Sequence, residues 1–78
     1  TECMDEILAI LNNVKPGQDY AHDEDLIGHK ILDSLNIITL VFELEQAFGI
    51  SITTVDVTPE NFKYAAAIQA LVERKENE

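Results

Sequence analysis

Few residues of this chain can do covalent chemistry, and their spacing sorts them. Ser34 follows Asp33 and precedes Leu35, at the point where an apolar periodic stretch begins. A helix starting there leaves backbone N–H groups without internal partners and adds the positive potential of its dipole, so a phosphate on the Ser34 hydroxyl is well placed. A plain N-cap pair, Asp33-Ser34, explains the same residues. As a hydrolytic nucleophile Ser34 needs a base and an oxyanion hole, and no Gly-x-Ser-x-Gly elbow surrounds it. His22 and His29 are the only candidate bases, both in a stretch without period, where a solvated histidine is the ordinary case. No catalytic residue is therefore assigned. Asp23-x-Asp25 with Gly28 imitates the start of a calcium loop, but its fifth position is Ile27 and its twelfth is Ser34, where a bidentate Glu is needed. Cys3, the one cysteine, has no disulfide partner and completes no Cys/His zinc pattern, so no metal site is expected.

The elements that must position these residues follow from periodicity. Residues 2 to about 14 read as a first helix, with Met4, Ile7, Leu8, Leu11 and Val14 on one stripe and Glu2, Asp5 and Glu6 complementing the dipole at its start. Pro16-Gly17 stops it. Residues 17–33 carry no period but hold Tyr20, Leu26, Ile27, Ile31 and Leu32 among turn formers, which predicts a long loop pinned across a helical core. A second helix runs from about Ser34 to Phe48, with Asp33 as N-cap and Gly49 as C-terminal glycine cap. Ile50-Ser51-Ile52 has no strand to pair with and is read as a connector that inserts Ile52 into the core. Thr58 caps a short third helix with Pro59 in its first turn and Phe62 as an anchor. A fourth covers about Tyr64 to Lys75, with Ala67, Ile68, Leu71 and Val72 inward. The alanine run Ala65-Ala66-Ala67 is read as helix propensity rather than as room left for an apolar guest. The fold class is all-α, a four-helix bundle of three main helices and one short one with a long first loop, in one domain over residues 1–78.

The second helix carries the most information. At roughly 100° per residue, Ile37, Leu40, Val41, Leu44, Ala47 and Phe48 gather in one core stripe. Leu35, Ile38 and Phe42 form a separate apolar group beside Ser34. Either the long loop folds over that group or it is an exposed contact patch.

Composition narrows the partners. Fifteen acidic residues against five basic ones give a net charge of −10 over 78 residues. That charge repels nucleic-acid phosphates and anionic lipid surfaces, favours partners bearing Lys and Arg, and argues for a monomer. The apolar runs are too short to span a bilayer, which excludes membrane insertion, and nothing resembles an export signal, so a cytoplasmic location is expected.

Ile31-Leu32-Asp33-Ser34-Leu35 with the helix behind it, then Phe48-Gly49-Ile50-Ser51-Ile52, then Val57-Thr58-Pro59-Glu60-Asn61-Phe62, resembles an acyl carrier protein over nearly the whole chain. The resemblance implies an acyl-carrier-like bundle in which Ser34 bears a covalent 4′-phosphopantetheine arm, with Asp33 and Leu35 completing the motif. The arm's thiol would hold acyl or aminoacyl intermediates as thioesters. Leu35, Ile38 and Phe42 then match positions that face partner enzymes, and Glu43 and Glu45, the carboxylates further along the helix, are counted with them as partner-binding. The implied partners are a phosphopantetheinyl transferase, an acyl- or aminoacyl-loading ligase, and synthase or acyltransferase enzymes. The role is transport, not catalysis. Asn36 and Thr39 stand where carriers of fatty acid synthesis often show Asp or Glu, which points to a dedicated secondary-metabolite, aminoacyl or lipid-modifying pathway. The competing reading is an unmodified helical adaptor that uses the Leu35/Ile38/Phe42 patch alone.

Overall fold

The computed structural model describes residues 2–22 and 25–77; the expectations for the Cys3 side chain and for Asp23 and Glu24 lie outside what it describes. The helices are α1 (Glu2–Val14), α2 (Ser34–Phe48), α3 (Pro59–Phe62) and α4 (Ala65–Glu76), with no strand among the described residues. α1 packs on both α2 and α4, α3 packs on α4, and α2 meets α4 more lightly. The core is one cluster. Ile7 and Leu11 of α1, Leu40 and Leu44 of α2, Phe62 of α3, and Ile68 and Val72 of α4 are all fully buried in it. Each such side chain contributes roughly 1.5–3 kcal/mol on removal from water.

α2 is bounded as its sequence requires. Gly49 takes the left-handed conformation (φ 63°, ψ 38°) and its N–H donates to the Glu45 carbonyl, which ends the helix. The chain then crosses the core through Ile50 and Ile52, each 9% exposed. Glu45 Oε2 accepts the Ile52 N–H at 2.8 Å, so this connector is tied to α2 without any strand pairing. Thr58 Oγ1 accepts the Asn61 N–H at 3.3 Å, and Pro59 opens α3.

One boundary and one burial expectation are corrected. Tyr64 is not the first helical residue of α4; its backbone is extended (φ −158°, ψ 168°) and it stands at the cap position, so the helix begins at Ala65. Ala47 is exposed, not in the core, because it lies at the rim of the apolar stripe in the last turn of α2, where no neighbour covers it.

The long loop is built, residue by residue, to deliver Asp33 to the head of α2. Tyr20, Leu26 and Leu32 are buried in the core. The Tyr20 hydroxyl donates to the Lys15 carbonyl at 2.6 Å, and burial holds its phenol above the ordinary tyrosine pKa. The Leu26 N–H donates to the Lys63 carbonyl at 2.7 Å, fastening the loop to the α3–α4 junction. The Leu26 carbonyl accepts from Ile31 N–H (2.9 Å) and Leu32 N–H (3.1 Å). Between them, Asp25 Oδ1 accepts the Gly28 N–H at 2.8 Å, and a β-carbon at position 28 would run into that carboxylate. Asp25 therefore closes a local turn, which gives Asp25 and Gly28 of the calcium-like pattern a structural role.

Candidate functional site

Asp33 is extended (φ −96°, ψ −178°) and its Oδ1 accepts the Asn36 N–H at 2.8 Å. Its carbonyl accepts the Ile37 N–H at 2.9 Å. Within the described residues, the N–H groups of Ser34 and Leu35 make no hydrogen bond, and neither does the Ser34 hydroxyl. Ser34 is the first residue of α2 and is exposed. The two sequence readings of Asp33-Ser34 are thus separated: Asp33 does the capping, and Ser34 is left with an unused hydroxyl beside unpaired N–H donors at the positive end of a helix. An oxygen-linked phosphodiester suits this position in charge, in donors and in access.

The loop does not fold over the neighbouring residues. Leu35, Ile38 and Phe42 are 71%, 67% and 59% exposed, on the side of α2 opposite the buried Leu40 and Leu44. Of the two readings open for this group, cover by the loop is set aside, and the group is an exposed apolar face. The α2 carboxylates are drawn away from it. Glu43 Oε1 lies 3.5 Å from Asn13 Nδ2 of α1, and Glu45 holds the Ile52 N–H. The Thr39 hydroxyl is turned inward as well, donating to the Leu35 carbonyl at 3.2 Å.

Neither histidine makes a hydrogen bond to Ser34. His22 Nδ1 lies 2.9 Å from Asp19 Oδ2 in an exposed pair, and His29 is exposed in the turn after Gly28. A cleft of about 340 Å³ opens between Met4 and Leu8 of α1, Tyr20 and His22 of the loop, and Tyr64 to Ala66. Ala65 is buried and Ala66 lines this cleft, so the alanine run does leave space in addition to favouring a helix.

Sequence reasoning missed the turn between α2 and α3. Asp56 Oδ2 accepts both the Thr53 N–H (3.0 Å) and the Thr53 hydroxyl (3.1 Å), and pairs with Lys75 Nζ at 2.7 Å. The Lys75 side chain, followed by the Thr53 bond, holds the Asp56 carboxyl below its usual range. Arg74 Nη2 donates to Asn61 Oδ1 at 3.1 Å, so the last turn of α4 clamps the connector and α3 together. Val55, 81% exposed, stands on this turn. The Thr53-x-x-Asp56 spacing was the available signal.

The family described as the phosphopantetheine attachment site matches residues 5–73. The chain belongs to that family. It is a phosphopantetheine carrier protein with 4′-phosphopantetheine as its cofactor, as the resemblance in its sequence implied, and its all-helical bundle is the acyl-carrier-like fold expected. It is 34% identical over 76 residues to the D-alanyl carrier protein of Lactococcus lactis subsp. lactis (strain IL1403), covering 95% of this chain and 96% of that protein. Against the D-alanyl carrier protein of L. lactis subsp. cremoris (strain MG1363) it is 33% identical over the same length and coverage. Membership in a carrier family implies partner enzymes of the transferase and ligase classes. Among the described residues, no helix is long and apolar enough to cross a membrane.

Proposed function

We propose that Ser34 is the attachment residue of this carrier and that its cargo is an aminoacyl group, D-alanine first among the candidates. The observation that carries the Ser34 assignment is the division of labour at the head of α2. Asp33 satisfies the Asn36 N–H, which leaves an exposed Ser34 hydroxyl with the unpaired Ser34 and Leu35 N–H groups beside it. Once attached, the arm supplies a thiol that holds cargo as a thioester. The chain's own residues do the rest. Ser34 Oγ forms the ester bond to phosphorus, the α2 N–H groups and dipole favour the phosphodiester charge, and Asp33 and Leu26 keep the helix start in place. The protein lowers no barrier itself. It keeps the reacting carbonyl at high effective concentration near successive active sites.

An aminoacyl cargo is supported by the relatives, whose printed name is D-alanyl carrier protein and which align over nearly the full length of this chain. We assign Leu35, Ile38 and Phe42 to partner docking, because they are exposed and begin next to Ser34. Glu43 and Glu45 are assigned to the fold, through Asn13 and Ile52. The partners are a phosphopantetheinyl transferase, an aminoacyl-loading ligase and an acyltransferase that takes the cargo on. Residues 1–78 act as one monomeric carrier domain in the cytoplasm, where coenzyme A and ATP meet. Incubating the arm-bearing chain with ATP, D-alanine and a D-alanine-activating ligase tests the cargo. A hydroxylamine-labile alanyl adduct on the wild type and none on Ser34→Ala is expected; loading by fatty acyl groups in place of D-alanine would refute the aminoacyl reading.

A further inference from the structure

The chain has five permanently cationic residues, and they are not used alike. Arg74 and Lys75 are committed to the fold, on Asn61 Oδ1 at 3.1 Å and on Asp56 Oδ2 at 2.7 Å. Lys15 is half-buried just past the end of α1. Lys30 and Lys63 are exposed, and among the described residues neither ammonium group makes a hydrogen bond or an ion pair. Lys30 is the only Lys or Arg between Lys15 and Lys63. The backbone nevertheless brings Lys30 and Lys63 to one place. Leu26 N–H donates to the Lys63 carbonyl at 2.7 Å, and the Leu26 carbonyl accepts the N–H of Ile31, the residue after Lys30, at 2.9 Å. Both lysines thus flank Leu26, in the turn that delivers Asp33 and Ser34 to α2. The four residues from Lys30 to Ser34 reach at most about 14 Å when fully extended, and the closed turn shortens that reach. Lys30 also holds a backbone that suits glycine better: its φ is 61°, a positive value on a non-glycine residue. The lysine side chain is therefore kept at a conformational cost that glycine would avoid. On the reading that Ser34 is the attachment residue, we infer that Lys30 and Lys63 are a cationic pair that receives the phosphodiester of the arm.

Attachment at Ser34 adds negative charge to a chain whose net charge is already −10, and self-repulsion opposes it. Asp33, whose carboxylate holds the Asn36 N–H at the same helix start, adds to that opposition. The free N–H groups and dipole of α2 offset part of it. Two ammonium groups without other partners offset more, at an exposure where salt screens them. Arg74 and Lys75 cannot serve this way without giving up Asn61 and Asp56. Lys30 and Lys63 give up nothing.

The test is thermal unfolding of the chain with and without its arm, in low and in high salt, with intact mass establishing that the arm is present. The quantity read is the change in midpoint on loading. At about 10 mM NaCl that change is expected to be about 2–6 °C more favourable in the wild type than in the double variant Lys30→Gln, Lys63→Gln. At about 500 mM NaCl the difference should fall below about 1 °C. Lys30→Arg, which keeps the charge, should load like the wild type. Lys30→Gly separates charge from backbone: its arm-free form should unfold within about 2 °C of the wild type or above it, yet lose as much of the loading effect as Lys30→Gln. Both lysines are exposed, so unchanged circular dichroism of the arm-free variants verifies the fold, and Lys30→Gln alone carries the test if Lys63→Gln does not fold. Equal loading effects in the wild type and the glutamine variants at low salt overturn the inference, as does a difference that persists undiminished at high salt. An intact mass that shows no arm on the wild type, or an arm retained by Ser34→Ala, refutes the Ser34 reading and the inference with it.

Discussion

Replacing Asp33 with alanine isolates the device that holds Ser34 at a helix start. In the native chain Asp33 Oδ1 sits 2.8 Å from the Asn36 nitrogen with extended backbone, which is N-cap geometry. Removing such a cap costs about 1 kcal/mol, within a range of roughly 0.5–2. Loss of a negative charge at the positive end of α2 adds about 0.3–1 kcal/mol at low salt. The sum for Asp33→Ala is about 1–2 kcal/mol, and for Asp33→Asn, which keeps the acceptor, only the charge contribution remains. For a chain of this size, 1 kcal/mol moves the midpoint temperature by about 4–8 °C. Thermal unfolding followed by circular dichroism should therefore place Asp33→Ala about 5–15 °C below the wild type, with Asp33→Asn between them and closer to the wild type in high salt. Equal stability of Asp33→Ala and wild type would show that the cap does not hold this helix. Equal loss in Asp33→Asn and Asp33→Ala would show that charge, not the hydrogen bond, is what matters.

Phe62→Ala empties the fully buried anchor of α3 and should cost about 3–5 kcal/mol; urea unfolding of so small a domain should then show little or no folded baseline. Glu45→Ala leaves the part-buried Ile52 N–H without its acceptor and should cost about 1–3 kcal/mol, while Glu45→Gln, which keeps an acceptor, should recover most of it in the same assay. Asp56 is held below the usual carboxyl range chiefly by Lys75, so its contribution is complete above the unfolded value of about 3.9 and is lost as the pH falls through the lower folded value. Urea midpoints of wild type and Lys75→Met should accordingly differ at pH 7 and converge near pH 2; a gap unchanged across that range would refute the linkage.

How much of this was legible beforehand depends on where the information sits. Periodicity and capping chemistry are local. The spans of α1 and α2, the Asp33 and Thr58 caps, the Gly49 stop and the separate apolar group of Leu35, Ile38 and Phe42 can be read directly from residue order, whereas the loop's leaving that group uncovered depends on packing. By pattern alone Tyr64 joins the apolar stripe of α4, yet the sharp turn out of α3 requires extended backbone there. By the same logic a helical wheel places Ala47 on the core face, because it does not show where the neighbours end. The Leu26–Lys63 bond and the Asp56–Lys75 pair join residues far apart in the chain, and only the packed molecule brings them together. Lys30 has a left-handed backbone (φ 61°) that its residue type gives no reason to expect; the turn closed by Lys30 N–H on the Ile27 carbonyl imposes it.

The central claim is that the exposed Ser34 hydroxyl, freed from capping by Asp33, carries the arm. Intact mass after incubation with a broad-specificity phosphopantetheinyl transferase, coenzyme A and Mg²⁺ measures it directly, with Ser34→Ala alongside. A gain of one phosphopantetheine unit on the wild type and none on the folded variant is the predicted result. An arm that still appears on Ser34→Ala, or a folded wild type that gains none from its cognate transferase, would contradict the account.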